Sequence, residues 1–340
     1  MDQPLCLLAV HAHPDDEASK GAATVARYHR EGVHTVLACC TGGEAGDILN
    51  PEMDTPEVRQ SLPEVRMTEL RRSAEVIGYD EVVMLGFRDS GMPGSELNDD
   101  PRCFARATLD DAVSRLVEVI RRTQPQVIIT YPEDQQAYPH PDHLRVHEVT
   151  VAAFGAAGDP AAFPEAGDPW QPLKLYYTIW SRRRMLAMHE KFLELGLASP
   201  FDDRWFERPS LDHLVTTAVD VSGFGHVQLA ALRAHATQID PASSFWFGLP
   251  PEVATAAHPY DEYVLACDLC RDCRGVPPGG SEGPGAESQA EGPGAEDAST
   301  FGGSDGFSTQ LESDLFDGVR GGSQQLAVSD VTGAGLRWSR

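Results

Sequence analysis

Leu5-Cys6-Leu7-Leu8-Ala9-Val10-His11-Ala12-His13-Pro14-Asp15-Asp16-Glu17 is the stretch on which the reading of this chain turns. Leu5 to Val10 is short, continuous and apolar, the pattern of a strand buried on both faces. Pro14 cannot donate to a sheet ladder and disfavours helix at His13. Residues 13–17 are therefore expected as a loop at the carboxyl end of that strand, the edge where open α/β sheets bind ligands. His11, His13, Asp15, Asp16 and Glu17 crowd this loop; His11 shares its alternation with His13 and reads as a cap on the strand end.

The same pattern recurs downstream. Strands are expected at 33–40, 81–85 and 127–130, and helices at 19–31, 63–77, 109–122 and from His143 to about 156. A strand at 173–180, a helix at 182–195, and a strand at 215–221 with a helix through 236 complete the list. Strand, polar loop and helix alternating in this way specify an α/β fold: a Rossmann-like, mostly parallel sheet with helices on both faces. Every chemistry-bearing stretch falls on a strand-to-helix loop. These are Thr41-Gly42-Gly43-Glu44-Ala45-Gly46-Asp47, Gly86-Phe87-Arg88-Asp89-Ser90-Gly91-Met92, and Tyr131 through His143. The topology gathers such loops on one sheet edge. The glycines of 41–47 fit a tight loop beside a ligand and ordinary turn chemistry equally well.

The 340 residues are 41% hydrophobic, enough for a sizeable core, and carry a net charge of −25. That charge speaks against nucleic acid or an anionic membrane as partner. No apolar run nears the ~20 residues of a membrane span, and no basic region precedes the first apolar stretch. Seven cysteines, several inside strand-like runs, fit a reducing compartment, here the cytoplasm. Cys267-x-x-Cys270-x-x-Cys273 resembles part of a metal site, but no fourth ligand completes it. Aromatics Trp205, Phe206, Phe245, Trp246 and Phe247 read as core or pocket wall. From about Gly275 the composition shifts: Glu-Gly-Pro-Gly-Ala-Glu occurs at 282–287 and again at 291–296. Residues 275–340 are expected as a disordered acidic tail after a domain spanning 1–274, with 155–274 completing the pocket.

A catalytic zinc has three protein ligands and an open position. His13 and Asp16 on one loop, with His143 opening a helix on another, supply such a set. Asp15 is then free to accept a proton, and His140 to stabilise an oxyanion or protonate a leaving amine. Taken alone, each of these residues has a plainer role, since an Asp pair after proline often caps a helix. The repeat of the pattern, His13-Pro14-Asp15 and His140-Pro141-Asp142, favours the metal.

With these motifs the chain resembles the LmbE-like (PIG-L) family of metal-dependent N-deacetylases. Within that family, Lys20-Gly21, Thr41-Gly42-Gly43-Glu44 through Pro51, Tyr138-Pro139-His140-Pro141-Asp142-His143, Trp180-Ser181-Arg182-Arg183-Arg184-Met185 and His235-Ala236-Thr237-Gln238-Ile239-Asp240 resemble the members that split mycothiol S-conjugates. The resemblance covers about residues 5–270. It implies one Zn2+ per chain, or Fe2+ in vivo, held by His13, Asp16 and His143, with Asp15 as general base, His140 as acid or oxyanion donor, and Tyr138 as a mobile active-site tyrosine. It implies that Lys20, Arg66 and Asp89 bind substrate, a small thiol-sugar conjugate. The implied reaction is hydrolysis of the conjugate's amide, releasing a mercapturic acid and glucosaminyl-inositol. Deacetylation of acetylglucosaminyl-inositol or a related natural-product sugar is the alternative. A non-catalytic nucleotide-binding or regulatory module is a third reading, weakened because the first loop lacks G-x-G-x-x-G. Ala18 and Gln135-Gln136-Ala137 depart from the residues common in the family.

Overall fold

The computed structural model describes residues 4–133, 138–270 and 311–320, and the backbone of 337–339. Its centre is one sheet of eight strands: β1 (Cys6–His11), β2 (His34–Thr41), β3 (Glu81–Phe87), β4 (Val127–Thr130), β5 (Lys174–Ile179), β6 (Thr217–Asp220), β7 (Tyr260–Asp268) and the short β8 (Arg337–Ser339). They lie in the order β6-β7-β5-β4-β1-β2-β3-β8. Pairings from β5 across to β8 are parallel; β7 runs antiparallel to both β5 and β6. The mostly parallel α/β sheet expected from the sequence is present.

β1 is buried at every position. Its side chains alternate between two cores: Cys6, Leu8 and Val10 join one, Leu7 and Ala9 the other. This is the period-2 geometry of a strand covered on both faces. A third cluster gathers Met185, Phe192, Phe201 and Leu249 under Trp180, Trp205, Phe206 and Phe245. The downstream aromatics are half-buried: Trp205, Phe206 and Phe245 pack against this cluster, Trp246 and Phe247 against the second core, and Trp246 also lines the cleft.

Three expectations need correction. The helix expected over 19–31 is broken: a turn at Asp16–Ser19 precedes the helix Ala22–Arg30. Gly21 sits between them at φ 90°, and a Cβ there would meet the Tyr263 hydroxyl at 3.0 Å. β7 was not foreseen; it carries Cys267, which lies opposite Leu175 in the ladder. Cys273 lies outside the described residues. Finally, within the expected disordered tail, residues 311–320 pack on the domain. Leu315 and Phe316 are fully buried. Glu312 accepts from the Tyr176 hydroxyl at 2.8 Å and faces the buried Lys174 ammonium at 3.3 Å. The Tyr28 hydroxyl donates to Asp314 at 2.9 Å. The short apolar stretch around Leu311 to Phe316, which the sequence offers as a docking segment for a partner, here docks on the chain's own domain. The backbone of 337–339, also in that tail, pairs with β3 as β8; the remaining tail residues, 275–310, 321–336 and 340, lie outside the described set.

Among the described residues no helix is long and apolar enough to cross a membrane.

Candidate metal and amide-cleaving site

β1 ends at His11, and the chain passes through His13-Pro14-Asp15 into the turn Asp16–Ser19. β4 leads to the helix Pro141–Ala156, where Pro at the first position suits the helix start. Because β1 and β4 are parallel neighbours, both loops emerge on the same edge. His13, Asp16 and His143 converge there: His13 Nδ1 and His143 Nε2 each lie 3.4 Å from Asp16 Oδ2. Donors of a tetrahedral zinc at ~2.0–2.1 Å are about 3.4 Å apart, so the spacing fits such an ion.

Without an ion, the electrostatics differ from one of these groups to the next. Burial opposes charge on His13, but hydrogen bonds to Asp142, Asp16 and Asp89 outweigh it and raise its pKa well above the ordinary histidine value. Burial likewise opposes charge on Asp16; the Lys20 ammonium and the two histidines outweigh that and hold the carboxylate ionised. Burial pushes His143 down, towards the neutral form a metal needs. His13 Nε2 is 3.1 Å from Asp142 Oδ2, and Asp142 is itself held by the backbone amide and hydroxyl of Ser90. A carboxylate on the far nitrogen is the usual way a ligand histidine is oriented. Tyr131 stacks on His143 at 4.6 Å and takes the Ala12 amide on its hydroxyl. Sequence reasoning assigned no role to Asp142, Ser90 or Tyr131; the signal within reach was Asp142 in the second His-Pro-Asp.

Asp15 is half-buried at the cleft floor, its pKa pushed up to about 7 by burial and then by the neighbouring Asp16 charge. His140 is pushed down to about 4 by burial and by His13. Both effects favour the neutral imidazole. Its Nδ1 accepts the Asp142 amide at 3.2 Å, which leaves the proton on Nε2.

The cleft, about 320 Å³, brings these groups together with Lys20, Arg66, Asp89, Tyr138 and the loop at Gly43, Ala45, Gly46 and Asp47. The glycine loop therefore lies beside the ligand space. Gly46 also answers a packing need, since a Cβ would stand 2.8 Å from Arg66 Nη1. Lys20 Nζ sits 2.6 Å from Asp16 Oδ1. Arg66 is only 1% exposed and donates to the Gly46 and Asp47 carbonyls at 3.0 Å, so it shapes the loop as well as lining the cleft. Asp89 accepts the Gly91 and Ala45 amides at 2.8 and 3.2 Å. Tyr138 is half-exposed at the mouth, its hydroxyl 3.3 Å from Met92 Sδ. His11 is buried beneath the site, its Nδ1 3.2 Å from the Tyr131 hydroxyl.

A model of the PIG-L family, GlcNAc-PI de-N-acetylase, matches residues 8–154. A mycothiol S-conjugate amidase of Streptomyces coelicolor is 44% identical over 79% of this chain and 94% of its own length. The chain belongs to the PIG-L family. A second member, the 1D-myo-inositol 2-acetamido-2-deoxy-alpha-D-glucopyranoside deacetylase of Geodermatophilus obscurus, is 42% identical over 71% of this chain and 85% of its own. The N,N'-diacetylchitobiose deacetylase of Pyrococcus horikoshii shares the fold, with a TM-score of 0.55 at 17% identity over 79% of this chain and 86% of that one. As a PIG-L protein the chain is a metal-dependent hydrolase of C–N bonds, and the non-catalytic reading falls away.

Proposed function

We propose that this chain is a zinc-dependent amidase that cleaves mycothiol S-conjugates to a mercapturic acid and glucosaminyl-inositol, in the cytoplasm. The observation that carries this reading is the 44% identity to the Streptomyces coelicolor amidase along nearly its whole length. The cleft is consistent with a bulky acyl group. Beyond its polar floor, Leu49, Met92, Tyr138, Ile239 and Trp246 form an apolar mouth, more surface than an acetyl group needs.

His13, Asp16 and His143 would hold the ion, and a divalent ion there polarises a carbonyl and acidifies water. Asp15 takes the proton of the attacking water as its oxygen bonds to the amide carbon. Neutral His140 donates its Nε2–H to the oxygen that gains charge, the contribution of a preorganised oxyanion donor. As the C–N bond breaks, Asp15 returns its proton to the amine. Lys20, Arg66 and Asp89 hold the polar parts of the substrate, and Tyr138 covers the mouth.

Deacetylation of acetylglucosaminyl-inositol is the second reading, favoured by the 42% identity to the deacetylase. Purified protein is incubated with a bimane-labelled mycothiol conjugate and, separately, with acetylglucosaminyl-inositol, and products are resolved by mass. Faster cleavage of the conjugate supports the amidase; cleavage of the acetyl sugar alone overturns it.

A further inference from the structure

Asp15 has φ 110°, a backbone conformation that L-residues avoid unless their surroundings impose it. Its surroundings are a buried polar chain. The Asp15 amide donates to Glu17 Oε2 at 2.9 Å. The other oxygen, Glu17 Oε1, lies 2.6 Å from His235 Nε2 and accepts the Ser73 hydroxyl. On its far side the His235 ring meets Gln238 through Nδ1 at 3.2 Å. The loop carrying His235 is anchored to the helix Leu62–Ile77, whose Glu69 accepts the Thr237 amide and hydroxyl at 2.7 and 2.6 Å. Glu17, Ser73, His235 and Thr237 have no exposed surface.

Burying a hydrogen-bonded carboxylate and imidazole is no gain over apolar packing of the same volume. What this pair supplies is direction, because the oxygen left over by His235 and Ser73 ends on the Asp15 amide. We infer that His235 and Glu17 are positioning residues that hold Asp15 in its left-handed conformation, so that its carboxylate faces the reacting water. Neither touches substrate. The inference rests on the reading of Asp15 as general base, and it gives a role to the His235-Ala236-Thr237-Gln238 motif.

The test uses the full chain loaded with zinc and whichever of the bimane conjugate or acetylglucosaminyl-inositol it turns over. Asp15→Asn, His235→Ala and the double variant are compared for zinc content, KM and kcat. His235→Ala is expected to keep its zinc and its KM and to lose on the order of 10²-fold in kcat, the scale of a misplacement near 1 Å. In the Asp15→Asn background the same change should cost nothing further, because two residues acting through one group are not additive. His235→Gln, which returns a donor to Glu17, should recover part of kcat. Equal losses in both backgrounds, or unchanged kcat in folded, zinc-loaded His235→Ala, overturn the inference. Unchanged kcat in Asp15→Asn overturns the general-base reading instead. Should His235→Ala not fold, Ser73→Ala removes the other donor to Glu17 and is read in the same two backgrounds.

Discussion

The two ring nitrogens of His13 each have a nearest carboxylate, Nδ1 3.4 Å from Asp16 and Nε2 3.1 Å from Asp142, with Asp89 further from Nε2 at 3.6 Å. Asp16 belongs to the proposed metal set, and Asp142 fixes the ring from behind. Asp142→Asn should therefore keep the fold and weaken zinc binding by about 10–100-fold, the usual effect of losing such an outer carboxylate. Competition with a calibrated chelator measures it. Unchanged affinity would show that Asp142 only caps its helix.

The raised pKa of His13 sets the pH dependence of metal binding. A ligand histidine must be neutral, whereas in the metal-free protein the carboxylates around His13 keep it protonated. Each ion bound should release a proton, and affinity should tighten as pH rises until the pKa of His13 is passed. Calorimetry in two buffers of different ionisation enthalpy reads the proton directly; heats that do not depend on buffer would contradict it. His143→Ala should abolish binding of the single ion per chain, with metal content after dialysis as the measure. Retained metal would place the ion elsewhere.

Phe316 has no exposed surface and meets the Tyr28 ring edge-on at 5.3 Å. Phe316→Ala should destabilise the domain by about 3–5 kcal/mol, the range for truncating a buried phenylalanine, while activity per folded molecule is kept, because the segment lies at the opposite end of β5 from the cleft. Urea unfolding with an activity titration separates the two. A stability change near zero would mean that the segment does not dock in solution.

What could be read in advance was local. β1, β2 and β4 are apolar runs ended by histidine, proline or glycine, and each registers in a window of a few residues. The proposed ligands His13, Asp16 and His143 were legible for the same reason, since they follow strands whose carboxyl ends share one sheet edge. The rest depends on partners far away in sequence. Lys174 is fully buried, and its partners lie far along the chain: Glu312, 138 residues later, and the Asp317 carbonyl, with Asp268 close by. β7 carries buried Asp261 and Glu262, which oppose a strand reading until their partners are seen: Thr24 takes one, and Arg183 the other. The close approach of Tyr263 to Gly21, at the helix break, is likewise one that no local pattern brings near.

The pH profile tests the division of labour between Asp15 and His140. The carboxyl of Asp15 is pushed up to about 7 and must be ionised to take a proton, so kcat/KM should fall as pH drops below neutrality. A bound divalent ion favours the carboxylate and moves this limb to lower pH. His140 is pushed down to about 4, and the ion's charge lowers it further, so it stays neutral across the working range. A neutral imidazole donating Nε2–H to the oxyanion, as proposed, needs no protonation step. The profile should therefore rise to a plateau with no basic limb belonging to His140. His140→Ala should lower kcat by roughly 10²–10³-fold, the cost of one oxyanion donor, and leave the shape of the profile unchanged. Asp15→Asn should keep its metal and lose about 10²–10⁴-fold. A bell-shaped profile whose basic limb vanishes in His140→Ala would overturn the neutral assignment and make His140 a cationic acid.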